Sequence, residues 1–459
     1  MKKFPNDFVW GTATSSYQIE GGHNLGGKGP SIWDAFSAIP GKTNLGQTGS
    51  IACDHFHRME ADIQLMQDMG VKAYRFSIAW ARIMPTGKGE VNPDGIAFYN
   101  RLIDGLLKVG IEPWVTLYHW DLPLALQLEE DGWLGKSMPN RFEAYARACF
   151  EHFGDRVKNW ITLNEPWVVA ILGYGQGVFA PGRISNSEPY IAAHHLLLAH
   201  ARAVETFRKR YSHQRGRIGI SNNCDWREPL SDSPQDQEAA QRSLEFFLGW
   251  FADPVYLGDY PQSMKERLSD RLPEFTKEEQ ALLKGSSDFF GLNHYTTMYA
   301  ANMADDEEVD ANVYGNGGIS EDQKVRLSVD PNWKFTSMQW AVVPWGCHRL
   351  LHWISKRYGN PDIYITENGC AYEDQVVDGQ VDDAERIAFH RSYLAACHDA
   401  ITEGVQLKGY FAWSFMDNFE WAYGYSKRFG MHYVDFDTLE RIPKSSAKWY
   451  REVVKGGEV

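Results

Sequence analysis

Cationic side chains are in short supply. The 459 residues carry 46 lysines and arginines against 60 aspartates and glutamates, a formal net charge of −14. Nucleic-acid binding rests on neutralising phosphates with Lys and Arg, so this balance argues against a polyanionic partner. An anionic membrane surface is disfavoured on the same ground. Long apolar runs are missing as well: nowhere do about 18 uncharged apolar residues follow one another. The opening MKKFPNDFVWG has no apolar stretch of signal-peptide length. A soluble, cytoplasmic chain is the expectation. The six cysteines (Cys53, Cys149, Cys224, Cys347, Cys370 and Cys397) show no Cys-x-x-Cys spacing. That pattern suggests neither a zinc ribbon nor a redox pair, and buried free thiols are the reading. No composition break or Gly/Ser/Pro linker divides the chain, so residues 1–459 read as one domain, with a homo-oligomer left open.

What the chain has in quantity is aromatic: 17 Trp, 22 Tyr and 24 Phe. Flat indole faces suit sugar stacking, and a large core uses them equally well. Strand-like runs recur at FVWGTATS (8–15), AYRFSIAW (73–80), PWVTLYHW (113–120), WITLNEP (160–166), RIGISNNC (217–224), DFFGLNHYT (288–296), IYITENG (363–369) and GYFAWSF (409–415). Helix-like stretches with apolar residues at three-to-four spacing separate most of them, as at 55–70, 94–110, 140–154 and 385–404. Strand and helix in alternation imply a parallel sheet. Strands apolar on both faces imply burial on both, which a closed (β/α)8 barrel provides. The longest irregular stretch, about 300–335, holds the acidic ADDEEVD and a Gly-Asn-Gly-Gly turn. Lying after the sixth strand, it is expected on the C-terminal face as a solvated loop that shapes a substrate entrance.

In such a barrel the strand C-termini converge on one pocket. Collected there are Gln18 and Glu20, Arg75, His119 and Trp120, Asn164 and Glu165, Asn293 and Tyr295, Glu367 and Asn368, and Trp413. Two carboxylates, a guanidinium, amides and aromatic faces suit a neutral polyhydroxylated substrate better than a metal or a phosphate. Taken singly, either glutamate reads as well as a hydrogen-bonded loop residue. Likewise, the Asn-Gly after Glu367 reads as a turn, Pro166 as a strand stop, and His119 and Trp120 as core. As a pair facing each other across a pocket, however, Glu165 and Glu367 are what glycosidic cleavage requires: one protonates the departing oxygen while the other attacks the anomeric carbon or activates water. Arg75 beside Glu367 would keep it ionised and leave Glu165 as the acid. Esterification of Glu367 then lowers the proton affinity of Glu165, which turns from acid to base. This is a retaining cycle, for which the carboxyls stand about 5–5.5 Å apart.

Three other signals carry less. GHNLGGKG (22–29) falls one residue short of a P-loop, with Gly29 in place of the magnesium-binding Ser/Thr and Pro30 where a helix should open. His55-Phe-His57 has the His-x-His spacing of some metal-dependent barrel hydrolases but opens a helix-like segment. His194-His195 precedes an amphipathic pattern and reads as helix packing.

The segments FVWGTATSSYQIEG, YRFSIAWARIMP, TLYHWDLP, TLNEPW, GLNHY, ITENG and WSFMDNFEWAYGYSKRFG, in this order, resemble glycoside hydrolase family 1, β-glucosidase type, over essentially the full length. The resemblance implies Glu165 as acid/base and Glu367 as nucleophile, with Asn293 and Tyr295 orienting the latter. It also implies that Gln18, His119, Asn164, Glu420 and Trp421 hold glycone hydroxyls, that Trp120 lines the glycone pocket, and that Trp413 forms the sugar platform. Trp167 and Trp333 are implied on the aglycone side. No metal or cofactor is implied, and the partner is a small oligosaccharide or glycoside such as cellobiose. Relatives acting on 6-phosphoglycosides carry a Ser near Glu420 and receive the phosphate on nearby Lys and Tyr. Tyr425, Ser426 and Lys427 leave that cue ambiguous, while a carboxylate at Glu420 would repel a phosphate of about −2 charge. A catalytically silent sugar-binding barrel would be expected to lack one of the two carboxylates.

Overall fold

The computed structural model describes residues 2–304, 307 and 319–459. Eight parallel strands close into a barrel: β1 (Val9–Ala13), β2 (Ala73–Ser77), β3 (Glu112–Tyr118), β4 (Asn159–Asn164), β5 (Arg217–Asn223), β6 (Phe290–Asn293), β7 (Ile363–Asn368) and β8 (Leu407–Trp413). Each pairs with its sequence neighbour, and β1 closes the ring on β8 with Val9 opposite Gly409 and Ala13 opposite Trp413. All eight runs read from the sequence are the barrel strands, and β2, β4, β6 and β7 are buried at every position. Burial on both faces removes the polar alternation of a half-exposed sheet.

After the strands come α1 (His55–Met69), α2 (Pro93–Lys108), α3 (Met138–Phe153), α4 (Glu188–Arg210), α5 (Pro234–Leu244), α6 (Pro344–Tyr358), α7 (Ala384–Thr402) and α8 (Ser445–Gly456). Their inner faces pack on the barrel through large rings; Trp80, for instance, stacks on Tyr145 of α3 at 4.8 Å. Asn92 caps α2, with Pro93 at its first position and Lys108 in its last turn, a charge order that suits the helix dipole.

Aromatic rings fill the lower barrel. Trp114 meets Tyr364, Phe411 and Phe289 at 4.7, 5.1 and 5.5 Å. The Arg217 guanidinium lies over three of these rings at 5.3–5.9 Å and donates to Tyr364 Oη and Asn159 Oδ1. A plug of this kind leaves only the C-terminal end of the barrel free to hold a ligand.

The stretch expected to be irregular at 300–335 is partly regular. Strand 297–302 runs antiparallel to 325–328 and parallel to 226–229, a three-stranded sheet beside the barrel. Strand 325–328 alternates buried and exposed residues, the period-2 pattern of a half-covered sheet. The Gly-Asn-Gly-Gly turn and most of ADDEEVD lie outside the described residues.

Candidate active site

Both glutamates leave their strands at irregular points. The β4–β5 register shifts between Ile161 and Asn164, and the β7–β6 register shifts between Ile365 and Glu367. A bulge at a strand end re-aims the following side chain out of strict alternation. Glu165 itself is left-handed, φ +47°, an uncommon conformation for a residue with a Cβ. Its backbone N–H donates to Ser221 O at 2.9 Å, and Pro166 opens the short helix that follows. After Glu367, Gly369 is demanded by close approach: a Cβ there would lie 1.7 Å from the carbonyl oxygen of Trp413. The Asn-Gly pair thus lets β8 close against β7. Glu420 is presented by a tight turn, its N–H bonded to Gly424 O at 2.7 Å. Gly424 has φ +56°, and Gln47 occupies the space a Cβ would need.

One hydrogen-bonded network ties these parts together. Arg75, fully buried in β2, donates through Nη1 to Glu367 Oε1 at 2.5 Å and to Thr366 O at 3.1 Å, and through Nη2 to Asn164 Oδ1. Tyr295 Oη donates to Glu367 Oε2 at 2.7 Å. Asn293 Nδ2 donates to Glu165 Oε1 at 2.7 Å and to Asn164 Oδ1 at 3.0 Å, while its own Oδ1 accepts from Thr366 at 2.6 Å. The amide of Asn293 thus braces Glu165 while also acting on Glu367, the partner expected for it. Because Asn164 Oδ1 is taken by two donors, its Nδ2 turns to His119 Nε2 at 3.1 Å. An accepting Nε2 puts the imidazole proton on Nδ1, which is buried without a protein partner.

These groups border a cavity of about 360 Å³, large enough for a small sugar conjugate. Lining it are Glu165, Glu367, His119, Trp120, Trp167, Asn293, Tyr295, Trp413, Glu420 and Trp421, all expected at the site. Arg75, Asn164 and Gln18 stand behind the wall. The Gln18 amide donates to Phe419 O at 2.9 Å and Asn418 Oδ1 at 3.0 Å and reaches Glu420 at 3.4 Å, so it touches the site through Glu420. Trp333 does not line the cavity. It stacks on Tyr299 at 5.0 Å, and the turn from Thr336 to Trp340 brings Met338 and Trp340 to the wall instead. Glu20 and Asn368 are also elsewhere. Glu20 binds Arg82 and Tyr99, and Asn368 binds Tyr410 and the His294 carbonyl.

Sequence reading missed Asp225 and Arg227, just beyond β5, and the apolar wall of Leu172, Val178, Phe179, Phe247 and Phe429. Apart from the position of Asp225 after a strand, no motif marks them. The residues suggested for a phosphate lie outside the cavity lining and are engaged: Tyr425 Oη donates to Thr48 O, Ser426 to Tyr423 O, and Lys427 to Ser337 O. His55 pairs with Asp62 and His57 with Asp54, two separate partners that build no shared metal site. His194 and His195 are packing residues of α4, bonded to Tyr260 and the Trp133 carbonyl. Among the described residues, no trio of His, Cys or carboxylate donors converges in the cavity.

Burial pushes the Glu165 carboxyl well above the usual range, and the Glu367 charge pushes it further. Glu367 is also raised by burial, but Arg75, Tyr295 and Asn293 oppose the rise there. The two acids are thereby separated, with Glu165 keeping its proton to higher pH. Burial, with the Arg75 charge, drives the His119 imidazole far down, which keeps it neutral. Burial and the Glu367 charge raise Glu420 to about 8. Glu420 is thus largely protonated at neutral pH in the free protein, which weakens the expected repulsion of a phosphate.

A carboxyl raised from 4.5 to about 8 is a stability liability with a defined sign. As pH rises past 4.5 the unfolded chain ionises first, so stability falls until the folded group also ionises near 8. Glu420→Gln removes this term. Its thermal midpoint should match the parent near pH 5 and exceed it by a few degrees at pH 8, a gain of at most a few kcal/mol. A gap that stays constant between pH 5 and 8 would contradict this assignment.

Comparison with known proteins places this architecture among carbohydrate-active enzymes. The family model described as Glycosyl hydrolase family 1 matches residues 1–458. Beta-glucosidase 42 of Arabidopsis thaliana is 49% identical over 465 residues, covering 99% of this chain and 94% of the relative. The solved family 1 β-glucosidase of Thermotoga maritima superposes with a TM-score of 0.94 at 46% identity, covering 100% of both chains. A rice Os3BGlu6 β-glucosidase mutant, solved in a covalent complex with Glc from GA4GE, superposes with a TM-score of 0.93 at 45% identity over 98% of both.

Proposed function

The chain belongs to glycosyl hydrolase family 1, and on that premise we propose that it is a retaining β-glucosidase acting by double displacement. Its substrates on this reading carry a terminal non-reducing β-D-glucosyl residue: cellobiose, short cello-oligosaccharides and aryl or alkyl glucosides, with β-galactosides and β-fucosides as further candidates. One observation carries the proposal: a single cavity holds two buried glutamates whose surroundings drive their proton affinities apart.

Glu165 enters the cycle as the acid and gives its proton to the glycosidic oxygen as the C–O bond breaks. The ionised Glu367, aligned by Arg75 and Tyr295, attacks the anomeric carbon from the opposite face and forms an ester. Esterification removes the charge that had raised Glu165, whose affinity for a proton falls once the leaving group has taken one. Glu165 then accepts a proton from water attacking the ester, and the sugar departs with its β configuration. His119 serves the glycone hydroxyls through Nδ1–H, and Asn164, behind it, holds the imidazole in place through its amide. Glu420 accepts from adjacent hydroxyls when ionised or donates to one when protonated, with Gln18 holding it in place. Indole faces of Trp413, Trp421 and Trp120 pack on the C–H surface of the ring, while Trp167 and the apolar wall receive the aglycone.

Unphosphorylated substrates follow from the engagement of Tyr425, Ser426 and Lys427 elsewhere, which leaves the glycone end without a free cation of theirs to meet a phosphate. Residues 1–459 act as one catalytic domain. Cytoplasmic residence fits six buried, unpaired thiols; among the described residues no helix is long and apolar enough to cross a membrane.

The test is an initial-rate comparison of nitrophenyl β-glucoside with its 6-phosphate on EDTA-treated enzyme, with NMR of the first product. Fast cleavage of the plain glucoside giving β-glucose first is the expected result. Preference for the phosphate would overturn the substrate assignment, and α-glucose first would overturn the mechanism.

A further inference from the structure

Away from the cavity, three donors of metal-ligand type converge on the outer helices. His348 and His352 lie one turn apart on α6, a spacing that sets both rings on one face of the helix. Their ring centroids are 4.6 Å apart. Glu403 caps the C-terminus of α7 and brings Oε2 to 3.0 Å from His348 Nε2 and 2.9 Å from His352 Nε2. One donor atom from each residue lies within 4.8 Å of the others. None of the three borders the cavity.

Hydrogen bonding accounts for half of this arrangement. His348 Nε2 is hydrogen-bonded to Glu403 Oε2. His352 Nε2 is as near to the same oxygen, yet it is off line and has no hydrogen-bond partner. Around a cation, by contrast, each donor's lone pair aims at the ion and misses the neighbouring ligand. Zinc ligands sit about 2.0–2.2 Å from the ion, so two of them at a right angle are about 3 Å apart, and about 3.4 Å apart at the tetrahedral angle. The observed 2.9 and 3.0 Å fall near the first of these.

We propose that His348, His352 and Glu403 form a binding site for a divalent transition metal of the Zn²⁺ or Ni²⁺ type, through Nε2 of each histidine and a carboxylate oxygen. Two imidazoles select such ions over Mg²⁺ and Ca²⁺, which take oxygen donors. Glu403 is exposed and the histidines are partly so, which leaves the remaining coordination positions to water. The ion ties α6 to the end of α7, from which the chain passes through Gly404 into β8. Its role is structural, and it contributes to stability by binding the folded state alone.

The test uses the untagged full-length protein after EDTA treatment and dialysis. Calorimetric titration and thermal scans are run with ZnCl₂, with NiCl₂, and with MgCl₂ as a control. The expected result is one saturable equivalent of Zn²⁺ or Ni²⁺ and a midpoint that rises with metal concentration. MgCl₂ should produce neither. His348→Ala, His352→Ala and Glu403→Ala should each weaken binding at least tenfold and remove the rise, with metal-free midpoint and glucoside turnover unchanged. Absence of saturable binding by both transition metals up to millimolar concentration would overturn the site, as would equal binding by the parent and all three variants.

Discussion

Glu367→Ala is expected to lose turnover on the order of 10⁵-fold. The other carboxyls of the cavity are poorly disposed to take over: burial, the larger cause of the raised Glu165 and Glu420 groups, outlasts the substitution, and Asp225 is paired with Arg227. Structural damage is a competing cause, because the substitution leaves Arg75 buried with one anionic partner fewer, a loss that costs about 3–5 kcal/mol for buried pairs. The hydrogen bonds of Arg75 to Thr116, Asn164 and Thr366 remain to hold it. The two causes separate by rescue. Azide entering the vacated space should release nitrophenolate from an activated β-glucoside and give the α-glucosyl azide, since it attacks from the face Glu367 occupied. A variant that stays folded by circular dichroism but turns over at more than a hundredth of the parent rate would remove Glu367 from the nucleophile's role.

Glu165→Ala should divide substrates by leaving group. Proton donation is worth about 10²–10⁴-fold when the departing oxygen is a poor leaving group, as in cellobiose, and little for a dinitrophenolate. The first step on a dinitrophenyl glucoside should survive, with a burst of phenolate followed by slow hydrolysis of the ester. The pH profile gives a second reading. In the parent, kcat/KM falls on the acid side as Glu367 is protonated and on the alkaline side as Glu165 loses its proton. In the variant the alkaline limb should vanish for the activated substrate. Equal losses on cellobiose and on the dinitrophenyl glucoside would remove the acid role from Glu165.

The barrel was legible because burial on both faces leaves a blunt mark, short β-branched and aromatic runs without polar alternation. The carboxylate pair was legible because each glutamate closes such a run. What could not be read was direction. Simple alternation does not reveal the register shifts at Ile161–Asn164 and Ile365–Glu367, since bulges follow from how neighbouring strands pair. Nor does it reveal that Asn293 gives its amide to Glu165, a choice fixed by Thr366 holding the other end. Trp333 stands off the cavity lining for a related reason: the chain before it folds partly as a sheet, and a turn a few residues later brings Trp340 to the wall.

The cavity's apolar wall descends from the loops beyond the strands, apart from the strand ends that carry the Glu165 and Glu367 pair. Leu172, Val178 and Phe179 follow β4, Phe247 follows β5, Met338 and Trp340 follow β6, and Phe429 follows β8. The charged network, in contrast, runs almost wholly through strand ends. The two parts can therefore diverge at different rates. Exchanging wall residues alters the shape offered to an incoming aglycone while the protonation balance between Glu165 and Glu367 stays intact. For a designer, or for natural drift, substrate repertoire becomes a quantity adjustable through loops alone, with little risk to the reaction itself.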